Sequence, residues 1–180
     1  MKVDAREWEA VGGGAVRVPD PDRLVHLQFR RFAGCPVCNL HLRSIVQRHD
    51  EITAHGIAEV AVFHSSAAEL APYAADLPFA VVGDPRKRLY AEFGVGSAAR
   101  SVLDPRAWGA MARGVLRDLG PVLRGRRPLP RAEGGRLGLP ADFLIAPDGE
   151  VVAEKRGQHA SDQWSVDELL ARAQALTSKD

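Results

Sequence analysis

Between residues 25 and 55 the chain passes from a strand-like to a helix-like pattern, and its only two cysteines stand at the joint, as Cys35-Pro36-Val37-Cys38. Val25, Leu27 and Phe29 alternate with His26, Gln28 and Arg30, which predicts a strand over 25–32 with one face in a core. The other face is wet or covered by a further segment. Leu42, Ile45, Val46 and Ile52 recur at helical spacing, and Gly56 supplies a stop, so one helix is expected from Cys38 to about His55. A strand that turns into a helix across C-x-x-C suits thiol chemistry. The helix N-terminus offers unsatisfied N–H groups and partial positive charge, both of which favour thiolate over thiol. A second sulfur one turn later can reach the first. The expectation is an exposed, acidified Cys35 with Cys38 poised beside it.

The remaining segments read as an alternation of strands and helices. Residues 1–24 form a short leading segment, with breakers at Gly12-Gly13-Gly14 and Pro19-Asp20-Pro21 around a small strand, Ala15–Val18. Strands follow at Glu59–His64 and Phe79–Val82. Ser66-Ala67-Ala68-Glu69 is a capping box that opens a helix to about Ala75. Asp84-Pro85 and Asp104-Pro105 each pair an N-cap with a proline at the first helical position, the former helix closing at Gly94. Trp108, Met111, Val115, Leu116 and Leu119 give the latter an apolar stripe. Gly120 to Gly138 reads as a loop, 142–146 and 151–156 as a hairpin about Pro147-Asp148-Gly149, and Ser165-Val166-Asp167-Glu168 as the cap of a last helix to about Leu176. A single α/β domain is the economical arrangement of 180 residues.

Composition narrows the function classes. A net charge of +1 gives no global pull toward nucleic acid or a membrane, and neither is expected as a partner. The first nine residues are too charged for a signal peptide, and no apolar run approaches a membrane span. A cytoplasmic setting is therefore expected, where a lone C-x-x-C is reactive or metal-binding rather than a structural staple. Charge is uneven, however. Residues 100–136 hold nine arginines against three acids, a net of +6, so the remainder carries −5. That segment is read as a solvated basic surface, with a docking face for an acidic partner as the functional alternative.

Cys35-Pro36-Val37-Cys38 after a strand, Leu139-Pro140 before Phe143-Leu144-Ile145, Asp148-Gly149 and a C-terminal helix together resemble the thioredoxin superfamily. Arg31-Phe32-Ala33-Gly34 leading into the cysteines, and Phe79 to Pro85 with the Tyr90–Val95 segment, are similar to the peroxiredoxin-like alkyl hydroperoxide reductase/thiol-specific antioxidant (AhpC/TSA) family. The resemblance covers roughly 12–96 and 138–176, leaving 97–137 as an insertion. It implies a thioredoxin-like fold, a central mixed sheet flanked by helices. It also implies Cys35 as the attacking and Cys38 as the resolving cysteine, with Phe32, Pro36, Leu139 and Pro140 on the substrate side and Pro140 in the cis form. Arg31 and His41 are further candidates. Phe32 occupies a position where typical peroxiredoxins carry threonine, and Pro140 one near which they carry arginine, a role open here to Arg30, Arg31 or Arg136.

The function implied is a thiol-dependent oxidoreductase that needs no cofactor. Its substrate is a peroxide or a disulfide, and its reductant is thioredoxin-like or a low-molecular-weight thiol. A homodimer is left open. The alternatives are a protein disulfide reductase without peroxidase activity, and a copper- or zinc-binding module using Cys35, Cys38, His41 and a distant His64 or His159. Taken alone, His41 reads as a residue of an exposed helix face and Asp142 as a strand-edge carboxylate. Of Arg30 and Arg31, on opposite faces of the strand, one is expected to point at the thiols. Trp108 and Met111 read as core or interface.

Overall fold

The computed structural model describes residues 1–96, 104–124, 135 and 137–177. In chain order the elements are β1 (Arg6–Glu9), β2 (Ala15–Val18), β3 (Leu24–Arg30), α1 (Pro36–Gln47), α2 (His49–Ala54), β4 (Ile57–Phe63) and α3 (Ala67–Ala74). These are followed by β5 (Ala80–Gly83), α4 (Arg88–Glu92), α5 (Pro105–Leu123), β6 (Ala141–Ile145), β7 (Val151–Arg156) and α6 (Val166–Thr177). The main sheet runs β5-β4-β3-β6-β7. β3, β4 and β5 are parallel, as their helical crossovers require, while β6 and β7 run against them as a hairpin. Layers pack on both sides of β3, so every residue from Val25 to Arg30 is buried.

The odd residues Val25, Leu27 and Phe29 join Val60, Val62, Phe143 and Ile145 in a core closed by Tyr90 and Phe93. Phe29 packs edge-on to Tyr90 and Phe143, with ring centroids 4.9 and 5.7 Å away. The opposite face lies under α1, α2, α3 and α6. Ile45, Ile52, Leu144, Trp164, Leu169 and Leu170 fill one part of it, and Cys35, Cys38, Leu42, Phe63 and Leu70 another. α5 rests on α1 from outside, bringing Ala110 and Met111 against the cysteine-containing cluster. No helix among the described residues is long and apolar enough to cross a membrane.

Four local expectations are corrected. The helix after Cys38 is two helices, because α1 ends at Arg48 and α2 restarts with Asp50 and Glu51 in its first turn, where acids favour a new helix start. Asp84 does cap α4, but across an intervening turn: its carboxylate accepts from Arg88 N–H (3.0 Å) and Leu89 N–H (2.8 Å), with Lys87 at φ 54° between. The leading segment contains β1, which pairs antiparallel with β2; Trp8 is its one buried residue, too little apolar signal to read as a strand. Helix α5 runs on to Leu123, into the expected loop, and residues 125–134 and 136 of that loop, including Arg136, lie outside the described residues.

Candidate active site

Gly34, at φ 72°, turns the chain from β3 so that Cys35 becomes the N-cap of α1 and Pro36 its first residue. Cys35 Sγ takes the capping role that an oxygen usually fills, accepting from Cys38 N–H at 3.4 Å. The two sulfurs lie 2.6 Å apart, inside the contact distance of two separate sulfurs and within reach of an S–S bond. An Arg31 guanidinium nitrogen stands 3.9 Å from Cys35 Sγ. Arg31 is thus the arginine that meets the thiols, and its cation also lies 5.3 Å from the Phe32 ring centroid.

The expected exposure of Cys35 is not found. Cys35 is 0% and Cys38 1% exposed. The cause is α5: at Gly114 a Cβ would sit 2.7 Å from the Pro36 carbonyl oxygen, so the helix lies directly on the first turn of α1. The expected acidification of Cys35 is corrected as well. Burial pushes the Cys35 thiol well above its ordinary range, reinforced by the hydrogen bond and charge of Cys38. Burial also pushes Cys38 up, but the hydrogen bond from Cys35, the charge and backbone N–H of Arg31, and the charge of Arg30 outweigh it and bring Cys38 to about 7. The two sulfurs therefore titrate as a unit that gives up one proton readily and holds the second.

Beneath α1 lies a cluster that sequence reasoning missed as a cluster. His26, Gln28 and Arg30 project from the even positions of β3 and are fully buried, with Glu59 from β4 and Asp142 from β6 beside them. Arg30 donates to Asp142 Oδ1 at 2.7 Å and to Gln28 Oε1 at 2.7 Å. His26 bridges Glu59 (2.9 Å) and Asp142 (3.2 Å), and Gln28 donates to Glu59. Burial lowers the His26 pKa, but the Glu59 charge and the bonds to both carboxylates prevail and raise it to about 9. Burial pushes Asp142 up, yet Arg30 and His26 hold it well below the usual carboxylate range. Asp142 is therefore no strand-edge carboxylate: β6 lies between β3 and β7, and its other oxygen accepts from Trp164 N–H at 3.1 Å. Register explains the grouping, since His26 faces Glu59 and Gln28 faces Asp142 across neighbouring strands. Three polar residues in a row on the second face of an apolar strand were the available signal.

His41 belongs to this network rather than to an exposed face. It is half-buried, one turn beyond Cys38, and its Nε2 accepts from Arg30 at 3.0 Å. Burial and then the Arg30 charge push it well below the ordinary imidazole range, so it stays neutral. Among the described residues no group of three or more His, Cys, Asp or Glu side chains is placed to hold a metal ion. Pro140 departs from expectation too. The one cis peptide bond among the described residues is Val18–Pro19, and Leu139–Pro140 is trans, the ordinary preference. Leu139 N–H is held by Gly96 O (3.1 Å), and Pro140 O accepts from Gly157 N–H (2.9 Å), which fixes this stretch as the extended approach to β6. Phe32 is buried and Pro36 half-buried, both beside the thiols. Trp108 is largely exposed rather than core.

Residues 44–159 match the family model described as AhpC/TSA antioxidant enzyme, beginning just beyond Cys38. No curated protein matches the chain. Among solved structures it is similar to the peroxidoxin BcpB from Mycobacterium tuberculosis, at 18% identity over 98% of this chain and 96% of that one, with TM-score 0.68. A putative thiol:disulfide interchange protein DsbE from Chlorobium tepidum matches at 18% identity, 99% and 96% coverage and TM-score 0.59. A peroxiredoxin 6 of Arenicola marina matches at 14% identity, 98% and 72% coverage and TM-score 0.70. These likenesses show the fold, a thioredoxin-like mixed sheet flanked by helices.

Proposed function

This chain belongs to the AhpC/TSA antioxidant enzyme family, and from that premise we propose that it is a thiol oxidoreductase that reduces small peroxides with the Cys35–Cys38 dithiol. The observation that carries this reading is the sulfur pair itself: 2.6 Å apart, beside the Arg31 guanidinium and buried, with α5 lying on the first turn of α1. A hydroperoxide is small enough to enter by a modest outward movement of α5. A chain bearing a disulfide would need α5 displaced.

The thiolate charge rests on the pair and can pass between the sulfurs with the shared proton. Cys35 is assigned the attack as the N-cap sulfur beside the Arg31 guanidinium, taking the thiolate charge when the proton passes to Cys38. Its thiolate attacks one peroxide oxygen: the S–O bond forms, the O–O bond breaks, and the departing alkoxide or hydroxide takes a proton to leave as alcohol or water. Cys35 is then a sulfenic acid. Cys38 attacks that sulfur, an S–S bond replaces the S–O bond, and hydroxide leaves as water after protonation. Two electrons have passed from the dithiol to the peroxide, and an external thiol reductant restores the pair by exchange. Arg31 is positioned to stabilise charge on the attacking sulfur and on the departing oxygen.

Disulfide exchange is the second reading, favoured by the closeness of the two sulfurs, which serves resolution of a mixed disulfide equally well. Stopped-flow oxidation separates the two. The peroxidase reading expects hydrogen peroxide to oxidise the pair at least a hundredfold faster than it oxidises free cysteine at the same pH, with loss of that reaction in Cys35→Ser. A rate equal to that of free cysteine, with rapid oxidation by a small disulfide, would replace it with the exchange reading.

A further inference from the structure

Helix α5 carries two exposed stripes on the sides turned away from α1. At about 100° per residue, Trp108, Val115, Leu116, Leu119 and Leu123 fall within an arc of about 100°. Trp108 is 56%, Leu116 73% and Leu123 76% exposed. Arg106, Arg113, Arg117 and Arg124 fall within an arc of about 40° beside it, all four on the surface, with Arg106 paired to Asp104 at 2.7 Å and Arg113, Arg117 and Arg124 carrying the stripe's positive charge. The remaining side, through Ala110, Gly114 and Met111, is the one packed on α1. Gly109 and Gly120 lie between the apolar and arginine arcs, so no side chain interrupts the passage from one to the other.

We propose that this outer face of α5 docks on an anionic lipid surface, the leucines and Trp108 entering the headgroup–acyl boundary and the arginines pairing with phosphates. Whole-chain charge hides the feature, because the net of +1 averages a basic segment, +6 over residues 100–136, with a remainder of −5. An apolar stripe flanked by arginines is the pattern by which a helix lies in a membrane interface. The stripe is a convex ridge. A lipid surface needs only such a ridge, whereas a protein partner would have to supply the whole complementary groove.

A second copy fits less well. Antiparallel pairing of two α5 helices about a two-fold axis would set each arginine stripe against its own duplicate. Parallel pairing would set it against the flank that runs through Met111 into α1, where the body of the protein stands. Docking as proposed leaves Pro36 and the dithiol about one helix diameter, roughly 10 Å, from the lipid surface. The proposal does not depend on which oxidant the dithiol takes.

Co-sedimentation of the full chain with vesicles tests it. Vesicles of phosphatidylcholine with one third phosphatidylglycerol should carry the protein down, pure phosphatidylcholine should not, and binding should weaken as salt is raised. Arg113→Ser/Arg117→Ser should reduce binding about thirtyfold, at about 1 kcal/mol per arginine near such a surface. Leu116→Ser/Leu123→Ser should reduce it more than tenfold. Both pairs are at the surface, so unchanged helical circular dichroism and unchanged dithiol alkylation report that each variant is folded. Equal recovery with neutral and anionic vesicles, no recovery with either, or self-association abolished by Leu116→Ser/Leu123→Ser in the absence of vesicle binding would each overturn the proposal.

Discussion

Gly114→Ala is the most informative single substitution, because it acts on the cover of the dithiol without touching either sulfur. The added Cβ would lie 2.7 Å from the Pro36 carbonyl oxygen and 2.8 Å from its carbon, both backbone atoms that cannot rotate away. Restoring ordinary contact, at 3.4 Å or more, requires α5 to move outward by about 0.7 Å. A gap of that size forfeits between a quarter and a half of the dispersion attraction across the contact. Overpacking of this kind costs about 1–3 kcal/mol. Replacing a mid-helix glycine with alanine returns about 1 kcal/mol through helix propensity. The net weakening of α5 docking is therefore about 1 kcal/mol, which should raise the rate at which the buried pair meets a reagent about fivefold. The assay is alkylation by a small maleimide at fixed pH, followed by mass, alongside urea unfolding. Expected is the fivefold faster alkylation with a stability loss of no more than about 2 kcal/mol. Unchanged alkylation in a variant that is folded would refute the reasoning that α5 is what seals the thiols.

Other perturbations address the buried network and the pair. His26 has a folded-state pKa of about 9, above its unfolded value near 6.5, so its stabilisation is fully present below pH 6.5 and is lost as pH rises through 9. Urea midpoints should accordingly fall between pH 6.5 and 9.5 by an amount equivalent to about 3 kcal/mol, and His26→Asn should flatten that slope. Arg30→Met leaves the Asp142 carboxylate buried without its guanidinium, so stability should drop by about 3–5 kcal/mol in thermal or urea unfolding. Where that variant remains folded, the first thiol titration, followed by alkylation rate against pH, should move upward from about 7 because a nearby cation is gone. Cys38→Ser, treated with one equivalent of peroxide, should accumulate a sulfenic acid at Cys35 that a dimedone label captures, whereas the wild type should show little.

Much of the fold was legible in local pattern. The capping boxes at Ser66 and Ser165 mark α3 and α6 because the sequence states both halves of each cap. Ser165 Oγ accepts from Glu168 N–H at 3.2 Å, and the Glu168 carboxylate accepts from Ser165 N–H at 2.8 Å. The strand into Cys35 and the hairpin about Pro147-Asp148-Gly149 were equally plain. What a single chain pattern does not carry is which segments meet. The even residues of β3 are polar in a way that suits solvent as well as a buried network. Only the register that sets Glu59 beside His26, and Asp142 beside Gln28, tells the two apart. His41 read as exposed for the same reason, since its partner Arg30 lies eleven residues back on another element. The site's cysteines were legible, but their accessibility was not. The stripe of α5 is visible in sequence, while the Gly114–Pro36 approach that turns its other side onto the thiols is a tertiary fact. Amphipathic spacing implies a buried stripe, and here the richest apolar stripe of α5 faces outward.

The most direct test of the redox assignment is the intact mass of the reduced protein after one equivalent of hydrogen peroxide, followed by peptide mapping under non-reducing conditions. The expected product is lighter by two hydrogens, with Cys35 and Cys38 in one peptide joined by a single S–S bond, and returns to the starting mass on adding a dithiol. A product heavier by oxygen at either cysteine with no S–S bond, or no reaction beyond that of a free thiol with peroxide and with small disulfides alike, would contradict the redox assignment.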